Sequence, residues 1–184
     1  MFEKATGCLY GHILGDILGY YYRDTLSSKA KKEINSNLLN YFLQIKRCSP
    51  NISSYAQLSM ALTRCLVRYR KYTKELVFNY YKDWYNIRHR YIDHPIYNGF
   101  KLYDNYSEYI TKTHNRLVKN KTSSCLMRCI PLGIFSNTID IKYIKQYIDD
   151  DVSLTNPNKF SIDCVSIFIL AIKDALSGLN KQEI

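Results

Sequence analysis

Proline and glycine are scarce, with 4 and 7 residues in a chain of 184. A protein built from many short strands needs such residues at its turns, so this scarcity argues against a sandwich or barrel. The six cysteines (Cys8, Cys48, Cys65, Cys125, Cys129 and Cys164) form no Cys-x-x-Cys pair. The four histidines, His12, His89, His94 and His114, show no metal spacing with them, which excludes the common structural zinc patterns. No apolar run approaches the roughly 18 residues of a membrane span. The opening Met1-Phe2-Glu3-Lys4 lacks the basic and apolar regions of a signal peptide. These absences predict a soluble protein of a reducing compartment, the cytoplasm.

What is present leans helical. Hydrophobic residues make up 46% of the chain, too many for a disordered segment and enough for a core in one domain over 1–184. Lys and Arg number 26 against 16 Asp and Glu, a formal charge of +10 that favours anionic partners without choosing among them. Apolar residues recur at helical spacing over 3–26, 28–47, 54–71, 73–87, 103–119, 124–135, 140–149 and 158–178, with an irregular loop over 91–101. Val165, Ile167, Phe168, Ile169, Leu170 and Ile172 are apolar nearly all round, which predicts a fully buried last helix. No repeat or linker interrupts the pattern, so the expectation is an all-α, compact multi-helix bundle.

The first helix carries Gly7, Gly11, Gly15 and Gly19 along one stripe. Each costs about 1 kcal/mol of helix stability relative to Ala. The stripe predicts tight packing against another helix, or, as the sharper reading, close approach of a ligand.

Three stretches together resemble the ADP-ribosylglycohydrolase family. Gly11-His12-Ile13-Leu14-Gly15-Asp16-Ile17-Leu18-Gly19 is similar to its opening G-x-x-x-G-D-A-L-G helix. Cys125-Leu126-Met127-Arg128-Cys129-Ile130-Pro131-Leu132-Gly133 resembles its M-R-x-x-P-L-G segment. Val152-Ser153-Leu154-Thr155-Asn156-Pro157-Asn158 is close to its S-L-T-H-P-N loop, with Asn156 in place of His. The stretches occur in the family's order. The likeness covers the N-terminal part of a typical family domain and implies a bundle incomplete at its C-terminus, stable alone or through a partner.

The resemblance implies hydrolysis of the glycosidic bond at the distal ribose of ADP-ribose, with a pair of Mg²⁺ ions orienting substrate and water. Carried over position by position, the family's metal-binding Glu falls on Arg23, with Asp24 beside it. The T-D-D-T motif falls on Ser53, Ser54, Tyr55 and Ala56, and the C-terminal D-x-D-T has no counterpart. Hard divalent cations need several oxygen ligands held together, which one carboxylate cannot replace. A cation beside another at 4 Å is opposed by ~4 kcal/mol at an effective dielectric of 20, and a divalent ion doubles that. No cofactor is therefore expected, and Mg²⁺ only if the family activity is retained. The run Asp149-Asp150-Asp151 reads as a solvated helix end, not as a substitute metal cluster.

The remaining ligand candidates are Asp16, Ser123, Ser124 and Arg128. Asp16 reads first as an acceptor for nearby backbone N–H groups, and Arg128 as a structural ion-pair partner ahead of a substrate contact. The family loop S-N-G-x-L-M-R lacks its Asn and Gly here, although Ser123 and Ser124 keep hydroxyls able to donate to phosphate. The leading expectation is a degenerate family member that binds ADP-ribose, ADP-ribosylated protein or another protein. An active divergent ADP-ribosyl hydrolase is the first alternative. The second is a nucleic-acid-binding protein using Arg64, Arg68, Arg70, Lys71, Lys74, Arg88 and Arg90 with Trp84. In that stretch Tyr80, Tyr81 and Trp84 sit at helical spacing and read as core.

Overall fold

The structure, a computed structural model, describes residues 2–22, 28, 32, 52–87, 97, 100, 101 and 103–184. Among the described residues every regular element is a helix: α1 (Phe2–Tyr22), α2 (Ser54–Tyr69), α3 (Lys74–Asn86), α4 (Tyr106–Leu117), α5 (Ser124–Arg128), α6 (Ile130–Phe135), α7 (Ile141–Ser153) and α8 (Lys159–Ser177). The all-α expectation holds. The predicted helix over 28–47 and the predicted loop over 91–101 lie almost wholly outside the described residues. No helix among those described is long and apolar enough to cross a membrane.

Local chemistry sets most boundaries. Ser53, Thr73, Asp140 and Asn158 cap α2, α3, α7 and α8, each accepting a backbone N–H of the first turn. At the far end of α8, Gly178 takes the left-handed φ of 105° that a helix C-cap requires. The predicted single helix over 124–135 is instead two. Pro131 has no N–H to return to the preceding turn, so the chain breaks at Cys129 and restarts with Pro131 in the first turn of α6.

The core lies where α2 and α3 meet α5 to α8. The apolar face of α2, Leu58, Ala61, Leu62, Cys65 and Leu66, is buried against it. From α3 come Val77, Phe78, Tyr81 and Trp84. Aromatic rings fill the α3–α4 seam: Phe78 sits 4.8 Å from Tyr109 and 5.7 Å from Phe100, centroid to centroid. Such pairs add to the stability gained from area burial alone. Lys82 is also buried here, its charge met by the Phe100 carbonyl at 2.7 Å and by Asp104 at 3.1 Å.

Two packing expectations are corrected. Gly7, Gly11, Gly15 and Gly19 are all exposed, and a Cβ added to any of them meets nothing within 4 Å among the described residues. A glycine is closely approached elsewhere, at Gly133 of α6, by the side chain of Ile172. A Cβ there would lie 2.7 Å from Cγ2 and 2.9 Å from Cβ of Ile172 on α8. Because Ile172 Cβ is fixed to its backbone, rotation cannot relieve that clash. Gly133→Ala is expected to destabilise the fold by about 1–3 kcal/mol, read as a lower urea midpoint at unchanged slope. The second correction concerns α8, which is not fully buried. α5, α6 and α7 cover one side, while Phe160, Ile167 and Leu170 on the other are exposed, Ile167 at 71%.

Candidate functional site

Two polar centres stand out in the fold, one at the α1–α2 corner and one inside the core. At the corner, Asp16 projects from α1 onto the residue that caps α2. Its Oδ2 accepts from the Ser53 backbone N–H at 2.8 Å, and its Oδ1 accepts from the Ser53 hydroxyl. Ser53 Oγ in turn accepts from Ala56 N at 3.3 Å. Asp16 thus does accept a backbone N–H, but across 37 positions and not from its own helix. Both functions of the Ser53 hydroxyl are already engaged. Ser54 is buried, Ala56 is wholly buried, and Tyr55 packs its ring against the core.

The first turn of α2 therefore presents no carboxylate, and Asp16, the carboxylate beside it among the described residues, already has a partner for each oxygen. One turn earlier on α1, His12 is half-buried and its Nε2 meets no partner among the described residues. Burial pushes its pKa down, while the charge of Asp16 works against that shift. Arg23 lies outside the described residues.

The second centre is larger. Arg128, on α5, is wholly buried, and its guanidinium donates through Nε to Asp151 Oδ1 at 2.9 Å, through Nη1 to Thr155 Oγ1 at 2.7 Å, and through Nη2 to the Asp151 carbonyl. Tyr81 donates its hydroxyl to the other carboxylate oxygen at 2.8 Å, and Cys129 donates its thiol to Oδ1 at 3.3 Å. Burial disfavours the guanidinium charge, but Asp151 and the surrounding polar groups outweigh it and hold the Arg128 pKa above its ordinary value. Each buried donor in this group has an acceptor, as a low-dielectric site demands.

The network continues outward through the loops that flank it. Thr155 Oγ1 donates to Asn156 Oδ1 at 2.7 Å, and Asn156 Nδ2 donates to the carbonyls of Asn120 and Thr122 at 3.0 and 3.1 Å. Ser124, also buried, reaches Asn156 Oδ1 at 3.4 Å. Of the four sequence candidates, the fold brings Ser124 and Arg128 into one enclosed network. Asp16 stands apart from it, and Ser123 is exposed with no capping hydrogen bond.

The acidic run is also corrected. Successive helical residues point about 100° apart, so three acids cannot all face water. Asp151 is wholly buried on Arg128, and Asp150 is mostly covered and paired with Lys74 at 2.8 Å. Asp151 as the hub of the core network was missed. The signal was available: an arginine flanked by Cys125, Cys129 and Leu132 needs a buried counter-charge.

Two other chemistries find no support. Burial raises the thiol pKa of Cys65 to about 11 and pushes that of Cys129 well up, with Asp151 adding to both, so neither is a ready nucleophile. Arg64, Arg68, Arg70 and Lys71 do form an exposed basic face. Trp84 is buried with its Nε1 donating to Gln57 at 2.8 Å, and Tyr81 is buried on Asp151, so neither ring is offered for base stacking.

The sequence model of the ADP-ribosylglycohydrolase family matches residues 1–184. The chain belongs to the ADP-ribosylglycohydrolase family. No curated protein and no solved structure matches it. The three motifs that resemble the family now have places in the fold. The G-D helix docks on the cap of α2, and the M-R and S-L-T stretches form the two sides of the Arg128–Asp151 network. The family's Mg²⁺ pair is the group to test against these residues. Hard cations require convergent carboxylate oxygens. Ser53 to Ala56, the positions the resemblance implies, hold hydroxyl, phenol and methyl groups, and no three His, Cys, Asp or Glu side chains among the described residues converge on a metal-sized site. Among the described residues, no such set of donors is assembled.

Proposed function

We propose that this chain is a degenerate ADP-ribosylglycohydrolase that keeps the family scaffold without its two-magnesium hydrolysis, and works by binding ADP-ribose or ADP-ribosylated protein. The observation that carries this reading is the first turn of α2. There Ser53 is locked to Asp16, Ser54 and Ala56 are buried, and no side chain offers a metal ligand in place of the family's aspartates. The α1–α2 corner is braced by hydrogen bonds that need no ion. The chain can therefore hold this part of the scaffold together without metal.

The test is calorimetric titration with ADP-ribose, with and without Mg²⁺, alongside an assay for release of ADP-ribose from modified protein. The expected result is binding of equal affinity in both conditions and no release. Binding strengthened at least tenfold by Mg²⁺, or release that depends on it, would overturn the reading in favour of a divergent active hydrolase. No binding in either condition would remove the ADP-ribose half of the proposal and leave the scaffold alone.

A further inference from the structure

The far end of α2 takes part in neither polar centre. Arg64, Val67, Arg68, Arg70 and Lys71 all stand open to solvent there, Val67 at 72%. Arg64 lies three and four positions before Val67 and Arg68, which puts these three on one side of the helix. None of the four cations forms an ion pair among the described residues. Part of this charge has a local cause, since the carbonyls at a helix C-terminus favour cations within the last turn. Arg64 lies before that turn, so the helix end does not account for it.

Two further observations separate this face from an ordinary solvated one. Arg70 closes α2 in the left-handed region, at φ 49° and ψ 27°, with its N–H donating to the Leu66 carbonyl at 2.8 Å. Glycine takes that conformation without steric cost, as Gly178 does at the end of α8, so an arginine there accepts strain and adds a charge. The second observation concerns Arg68. Its guanidinium lies over the Tyr69 ring, 5.7 Å from the centroid, and Tyr69 is braced edge-on against Tyr80 at 6.2 Å. Stacking orients the guanidinium while leaving its N–H donors free. A fork held in this way loses little freedom on meeting a carboxylate, which it can grip through two parallel hydrogen bonds.

A phosphate backbone would match these cations but has nothing apolar to set against Val67. A protein segment matches both, with carboxylates for the cations and an apolar side chain for Val67, as in an interface with an apolar centre and a charged rim. We propose that the end of α2 is a docking surface for an acidic segment of another protein. Arg64 and Arg68 hold its carboxylates, and Val67 takes one of its apolar side chains. Arg70 and Lys71 extend the positive field that draws the segment in. The proposal does not rest on any ADP-ribose binding.

The experiment titrates a dye-labelled, capped peptide of glutamates around a central leucine with the full chain, read by fluorescence anisotropy. Binding is expected, weakening as salt rises, while a lysine peptide of the same pattern does not bind. Arg64→Glu together with Arg68→Glu is expected to weaken binding by about tenfold or more and to flatten its salt dependence. Val67→Ser is expected to weaken it several-fold with the salt dependence unchanged. Because these side chains are exposed, both variants should keep the far-ultraviolet circular dichroism of the parent. Lys181→Glu, a charge reversal beyond the end of α8, should leave binding as it is. No binding, an equal loss from Lys181→Glu, or no loss from Val67→Ser overturns the proposal. So does tighter binding of a DNA duplex through the same residues, or displacement of the peptide by ADP-ribose.

Discussion

Arg128→Met is expected to destabilise the chain by about 3–5 kcal/mol, because it strands a buried carboxylate that has lost its counter-charge. Asp151 is wholly buried and takes its charge partner from Arg128 alone among the ion pairs of the described residues. The same change takes the donor from Thr155 Oγ1, loosening the link to Asn156 and the loop it staples. In a protein of this size each kcal/mol lowers the melting temperature by about 2–4 °C, so the drop should be roughly 6–20 °C. Removing both charges together, in Arg128→Met with Asp151→Leu, should recover a large part of the loss, since well-packed apolar residues often replace a buried pair at little cost. Recovery should stop short of the parent, because Tyr81 and Cys129 would then have hydroxyl and thiol groups without acceptors. Urea unfolding of the three chains separates these outcomes. A loss below about 1 kcal/mol in the single variant would show that the network does not hold the core.

Phe78→Ala is expected to cost about 3–5 kcal/mol, by lost transfer energy and by the cavity left behind. Phe78 is wholly buried at the centre of the α3–α4 seam, with Phe100, Tyr106 and Tyr109 around it at centroid distances of 4.8 to 5.8 Å. Three rings cannot close over the gap without leaving their favoured tilts, so little relaxation should follow. Phe78→Leu keeps much of the volume and should cost clearly less. If both variants unfold at the same denaturant concentration, the apolar volume that Leu retains counts for nothing there and the loss belongs to the ring contacts.

How far the sequence disclosed this protein depended on the distance between the residues involved. Helical faces are local, and the periodic positions of α2 (Leu58, Leu62, Cys65, Leu66) and of α3 (Phe78, Tyr81, Trp84) are buried as the spacing implied. The break at Pro131 was legible in principle, since a proline inside a predicted helix is a local signal. Pairings between distant positions were not. Nothing in the period of α1 says that Asp16 will grip Ser53, 37 positions away, and nothing in three adjacent acids says which will turn inward. The glycine stripe finds no packing partner among the described residues for a related reason. Small side chains permit close approach but do not supply a partner, and the approach that forbids a Cβ occurs at Gly133. For the candidate site, the absence of a carboxylate at 53–56 was plain from the sequence, whereas the hydrogen bonds that occupy the same turn required the fold.

The burial of Trp84 gives the molecule a built-in optical gauge. It is the only tryptophan in the chain, sits at 8% exposure on α3, and is tied through its ring nitrogen to Gln57 on α2. Its emission therefore comes from one address at the α2–α3 contact, in dry surroundings that favour short wavelengths. Any event that parts these two helices admits water to the indole and moves the light to the red. Docking of a ligand or partner elsewhere leaves the colour unchanged unless it reaches that joint, so a single spectrum distinguishes an event that is felt at the centre of the protein from one that stays at its rim.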